Sequence, residues 1–115
     1  MTYTFMLGKE LVWSPANTVG ALYIGMAHVV ADVLKVPIGL TDVFGDTFDI
    51  DPVVFPEFVR AGLTQYAASH HPDLRLLVGS VLAVSIQLLN QMDATVETST
   101  DAERAALDEL RESLL

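Results

Sequence analysis

The spacing of apolar positions changes several times along the chain, and each change marks an element. Tyr3, Phe5 and Leu7 alternate with Thr4 and Met6, and a second short run, Glu10 to Trp13, resumes after Gly8-Lys9. Alternation on both sides of a glycine-led turn predicts a β-hairpin over residues 3–13. Two strands are unstable alone, so the hairpin must rest on helices or take a third strand, for which Thr47 to Ile50 is the one other candidate. Beyond Trp13 the period becomes helical. Val19, Leu22, Tyr23, Met26, Val30, Val33 and Leu34 share one stripe, with Asn17, His28, Asp32 and Lys35 opposite. This predicts a helix over about 15–35, capped by Ser14, carrying Pro15 at its first position and stopped by Pro37 and Gly39.

Residues 38–51 hold two glycines and the acids Asp42, Asp46, Asp49 and Asp51, which reads as a loop with at most one strand. Asp51-Pro52 opens a second helix over 52–70. Phe55, Phe58, Val59, Gly62, Leu63 and Tyr66 face inward, and Pro56 falls early enough to sacrifice about one backbone bond. After His70-His71-Pro72 a third helix, 73–92, carries Leu74, Leu77, Val78, Val81, Leu82, Val84, Leu88, Leu89 and Met92 on the stripe expected to centre the core. Thr100-Asp101-Ala102-Glu103 has the spacing of a capping box and starts a fourth helix, 100–114. Its narrow seam of Ala106, Leu107, Leu110 and Leu114 is expected to dock along a groove, in its own chain or on a partner. The expected fold is mainly α: a single α+β domain, residues 1–115, resembling a four-helix bundle with a short N-terminal β-hairpin.

Composition adds a question of covering. Apolar residues make up 51% of the 115 positions and charged residues 18%. That balance excludes a disordered chain and leaves little charge to clothe a lone protomer, so a partner is expected to hide some apolar surface. The third helix sharpens this, because its second face, Leu76, Gly79, Ser80, Ala83, Ile86, Gln87 and Asn90, carries no charge. Small residues there admit a close backbone, and the two amides can bond across a contact between like helices, as a two-fold homodimer interface requires. The fourth helix or the hairpin covering the same face within one chain is the competing reading.

Fifteen acidic side chains against six basic ones give a net charge of -9, which repels phosphate backbones and argues against nucleic acid. The chain has no cysteine, hence neither disulfides nor thiolate metal sites, in keeping with a cytoplasmic location. Pro15, Asn17 and Gly20 break any signal-type run, and Gln87, Asn90 and Gln91 crowd the end of the most hydrophobic stretch, which argues against a membrane span.

Candidate chemistry is sparse. The loop acids lack the alternate spacing of a calcium loop, so no metal or other cofactor is expected. His28 and Asp32 lie one turn apart, but no third ligand or nucleophile accompanies them. No serine sits in a Gly-x-Ser-x-Gly elbow, and no catalytic residue is assigned. Trp13 precedes the first helix as an anchor between hairpin and helix. A pocket between the hairpin, the Asp-rich loop and the helices, where Trp13, His28, Asp49 and Asp51 converge, is the geometry a small-molecule binder or small enzyme would need.

Trp13-Ser14-Pro15, the apolar helix after it, Pro37-Ile38-Gly39, Asp49-Ile50-Asp51-Pro52 and the run from Phe55 to Val59 resemble a family of short uncharacterised bacterial proteins of unknown function. The resemblance spans roughly residues 3–92 and implies a self-contained domain, with no activity attached to any residue. The leading expectation is a non-catalytic interaction or accessory protein, an acidic homodimer that meets a basic protein partner, as an immunity protein or antitoxin does.

Overall fold

A computed structural model describes residues 2–113. The hairpin forms as β1 (Thr4–Leu7) and β2 (Glu10–Trp13), with Gly8 at positive φ in the turn. It belongs to a larger sheet. Residues 38–51, expected as a loop with at most one strand, hold two: β4 (Thr47–Ile50), which is the candidate third strand, and the unexpected β3 (Leu40–Asp42), and the order is β2-β1-β4-β3. β4 pairs parallel to β1 and antiparallel to β3. Phe48 and Ile50 point into the core while Asp49 between them faces out, the alternation that a half-buried strand imposes. Among the described residues the architecture is therefore α+β, four helices beside a four-stranded N-terminal sheet, and differs from the bundle-with-hairpin expectation by the sheet that β3 and β4 complete. β3 escaped detection because only Leu40 of its three residues is apolar and buried.

The helices are α1 (Asn17–Leu34), α2 (Val54–Ala68), α3 (Pro72–Gln91) and α4 (Asp101–Glu112). α1 starts later than Ser14-Pro15 suggests. The Pro15 carbonyl accepts a bond from the Tyr3 N–H at 3.1 Å, so this step extends the sheet edge and no side chain caps the helix. Asp51 does act as expected at the start of α2, its Oδ1 accepting the Val53 and Val54 N–H groups at 2.8 and 2.9 Å. With α2 beginning at Val54, Pro56 falls in the first turn, where an N–H has no helical partner to lose. At α4, Thr100 Oγ1 accepts the Glu103 N–H at 3.1 Å, the cap expected there, while the Glu103 carboxylate reaches one residue further back than a strict capping box, accepting from the Ser99 N–H and the Thr100 hydroxyl.

α1 is turned relative to its predicted stripe. Gly20, Tyr23, Ile24, Ala27, Val30 and Ala31 face the core, whereas Val19, Leu22, Met26 and Val33 face outward. Gly20 is seated against Tyr3, where a Cβ would overlap the tyrosine side chain. Small residues let α1 settle onto the sheet, and the rings of Phe5, Trp13 and Tyr23 fill the space beside them, with centroids 5.1–5.8 Å apart.

α3 is the centre of the core, with Leu82, Ile86, Leu88 and Leu89 fully buried. α2 crosses it closely at Gly62, where an added Cβ would stand 2.6 Å from Leu82 Cδ2. α4 docks within its own chain against α2 and α3, burying Ala106, Leu107 and Leu110; the expected Leu114 contact lies outside the described residues. Arg75 ties the three helices. It donates to the Tyr66 carbonyl at 2.9 Å, lies 4.1 Å from the Tyr66 ring centroid and meets Glu109 at 3.7 Å.

Candidate interaction face

α1 and α3 run side by side, joined by one buried bond between Tyr23 Oη and Ser85 Oγ at 2.6 Å. The Ser85 hydroxyl hydrogen is committed to the Val81 carbonyl at 2.8 Å, so Tyr23 donates and Ser85 accepts. Burial pushes the Tyr23 phenol far above its ordinary pKa, and the bond to Ser85 only partly opposes this. The pair fixes how α1 lies on α3, and with it the surface the two helices present outward.

That surface is apolar. Val19, Leu22, Met26, Val29 and Val33 are all exposed, from 39% at Met26 to 67% at Val33. Their spacing of three, four, three and four residues is the a/d repeat of a helix that packs against another helix. α3 adds Leu77 at 64% exposure and, at the rim, Leu76 at 73%. Together these side chains present on the order of 700 Å², above the roughly 300–600 Å² of the largest apolar patch on an ordinary monomer. The face is also uncharged: from Asn17 to Ala31 only His28 can carry a charge, and from Leu76 to Gln91 nothing does.

Shallow clefts run along the join. One of about 280 Å³ lies between Met26, Val29, Leu77 and Val81, and another of about 210 Å³ between Leu22, Met26, Ser80, Val84 and Trp13. A third, about 360 Å³, continues past Trp13 to Gln87 and Gln91. α1 and α3 are both long and apolar enough to cross a membrane, with mean hydropathies of 1.3 and 1.5. Half of α3's span is buried inside the fold, but only 28% of α1's. α1 is thus the helix whose apolar character its own chain does not use up.

A family profile described as a family of unknown function, DUF6086, matches residues 1–115. The chain belongs to DUF6086. Neither the curated proteins nor the solved structures contain a match. The DUF6086 profile runs through α4, so the family likeness, which the sequence motifs carried only to about residue 92, takes in the whole chain.

The residues expected to form the interface are divided by the fold of this DUF6086 chain. Leu76, Ser80 and Asn90 are exposed and Gln87 is half-buried, but Gly79, Ala83 and Ile86 lie in the chain's own core. A Cβ on Gly79 would meet Tyr66 at 3.0 Å and Leu110 at 3.6 Å, so α2 and α4 provide the close backbone approach that its small size permits. The residues expected to share a pocket are scattered. Trp13 is half-buried in the aromatic cluster, His28 is exposed on α1, Asp49 faces out of β4 and Asp51 is occupied at the start of α2. Neither cleft lined by Trp13 includes His28, Asp49 or Asp51.

Other titratable groups serve local structure. The Val54 and Val53 N–H groups hold the Asp51 carboxyl below the usual range, and burial, with the Glu109 carboxylate next, raises the Tyr66 phenol. Among the described residues no three His, Asp or Glu side chains gather as a metal-ligating group. The feature sequence reasoning missed is the outward seam of α1. Its signal was present in the three-four spacing through Val29, but large apolar residues were assigned inward by default.

Proposed function

We propose that this DUF6086 chain is a non-catalytic interaction protein that works as an acidic homodimer in the cytoplasm, its protomers joined through the α1–α3 face. One observation carries the reading: an exposed a/d seam, Val19 to Val33, on a helix with almost no charge. About 700 Å² of apolar side chain approaches the roughly 800 Å² per partner that a stable interface buries. A second copy is favoured over a basic partner at this face because the face offers nothing for a basic group to meet. Two such faces also meet through stretches, residues 17–31 and 76–91, that hold none of the chain's fifteen acidic side chains. Exposed acids such as Asp49 on β4 and Asp101, Asp108 and Glu112 on α4 offer a surface to a basic protein partner, and an immunity- or antitoxin-like role is the specific form of this reading.

Multi-angle light scattering over a dilution series tests the pairing, with a dimer at micromolar concentration and a monomer for Leu22→Asp as the expected results. A wild-type monomer that floats with zwitterionic vesicles would instead assign the face to lipid and overturn the homodimer. Pull-down against basic bait proteins tests the second half of the proposal.

A ligand-binding reading keeps one observation. The cleft of about 360 Å³ beside Trp13, Gln87 and Gln91 lies within the size range of small-molecule sites and pairs a ring with two amides. Trp13 is the only tryptophan, so its fluorescence reports directly on this cleft. Titration with a panel of amide-bearing or sugar ligands that leaves the emission unchanged removes this alternative.

A further inference from the structure

We infer that the two protomers meet α1 against α1, antiparallel, with the two-fold axis beside Gly25 and Met26. This rests on the homodimer reading above and adds which helix pairs, in which direction and about which residue. Gly25 is the first observation. It is exposed in mid-helix, and a Cβ built on it meets nothing within 4 Å. Gly20, Gly62 and Gly79 each have a neighbour of their own chain where the Cβ would be, so Gly25 alone among these helical glycines has no partner within the protomer to account for it. Glycine in an exposed helix interior weakens the helix relative to alanine, and close approach of a second backbone is the use that offsets this cost.

The seam supplies direction. About Met26 it is nearly symmetric, with Val19 seven residues before, Val33 seven after, Leu22 four before and Val29 three after. Turning a copy end for end therefore places apolar side chains opposite apolar ones, Val19 by the partner's Val33 and Met26 by the partner's Met26. An isologous contact requires this self-complementarity.

Charge selects the same direction. The first turn of α1 has no acidic residue and no side-chain cap, so no carboxylate of that turn answers its positive dipole end. Asp32 lies seven residues from Gly25 on the same flank of the seam, as does Thr18 in the other direction. In the antiparallel register each Asp32 carboxylate comes beside the first turn of the partner's α1. In a parallel pair the flank that carries Asp32 lies against the partner's opposite flank instead, and no carboxylate reaches that first turn.

The absence of cysteine makes the test direct. Met26→Cys is expected to oxidise to a covalent dimer without loss of helical circular dichroism. Val19→Cys and Val33→Cys, mixed, are expected to give the mixed disulfide, with little self-linking of either variant. Gly25→Leu, whose side chain enters open space in the protomer, should keep the fold and weaken dimerisation about tenfold or more, as overpacking a close contact does. Self-linking of Val19→Cys and of Val33→Cys separately would establish a parallel pair and overturn the inference. So would a Gly25→Leu dimer of wild-type affinity, while leaving the homodimer itself intact. A wild-type monomer in light scattering would overturn the homodimer, and this inference with it.

Discussion

Cutting the bond between Tyr23 and Ser85 from one side or the other should have unequal consequences. Both groups are buried, Ser85 completely and Tyr23 to 5% exposure, and among the described residues they are the one side-chain hydrogen bond between α1 and α3. Ser85→Ala removes the acceptor and leaves the phenol hydroxyl buried without a partner, since no other bond to Tyr23 Oη is present among the described residues. The cost is the desolvation of an unsatisfied hydroxyl, about 2 kcal/mol. Tyr23→Phe removes the donor, but Ser85 keeps its bond to the Val81 carbonyl, so only the net worth of one hydrogen bond is lost, about 1 kcal/mol. The double variant has no orphaned group and should be more stable than Ser85→Ala alone. A double-mutant cycle by urea unfolding at fixed protein concentration measures all three, and the coupling should reach roughly 1 kcal/mol or more. Additive effects, or a Ser85→Ala variant less damaged than Tyr23→Phe, would refute the assignment of Tyr23 as donor and of the pair as the tie that orients α1.

Other outcomes follow from the same geometry. Because the folded state holds the Tyr23 phenol protonated above its ordinary pKa of 10.0, stability is complete below that pH and falls as pH rises through and beyond it. The slope approaches about 1.4 kcal/mol per pH unit; alkaline unfolding curves should flatten in Tyr23→Phe, with Tyr66 keeping a smaller slope. Gly62→Ala forces a methyl against the fully buried Leu82 and should cost about 1–3 kcal/mol in chemical denaturation. Gly25→Ala, measured in the Leu22→Asp background to remove association, should instead stabilise by roughly 0.5–1 kcal/mol. Thr100→Ala takes away the acceptor at the start of α4 and should lower stability by about 1 kcal/mol, read as a lower midpoint in thermal unfolding.

The helices were legible because apolar side chains at helical spacing, proline and capping residues agree about them. All four lie within two residues of the expected starts and ends, apart from Leu114 outside the described residues. β3 was not legible, since a three-residue strand with one buried side chain leaves no period to read. The rotation of α1 was hidden for a different reason. Hydrophobicity ranks valine and leucine above glycine and alanine for burial, but Tyr3 leaves room only for glycine at position 20, and Tyr23 takes the place beside Phe5 and Trp13. The uncharged flank of α3 was expected to need cover, and the chain itself covers Gly79, Ala83 and Ile86 of it. Which half the chain covers itself depends on where α4 docks, and periodicity in one helix does not encode its neighbour. The four residues expected to form a pocket failed to meet because each has a local task or a solvent-facing register position that spacing alone does not reveal.

Sedimentation equilibrium of the wild-type chain beside Leu22→Asp tests most directly whether the seam on α1 is a buried surface of an assembly. The wild-type chain should sediment at twice the protomer mass through the micromolar range, and the variant at the protomer mass with unchanged helical content. A wild-type protein that stays at the protomer mass up to the highest soluble concentration would contradict the account.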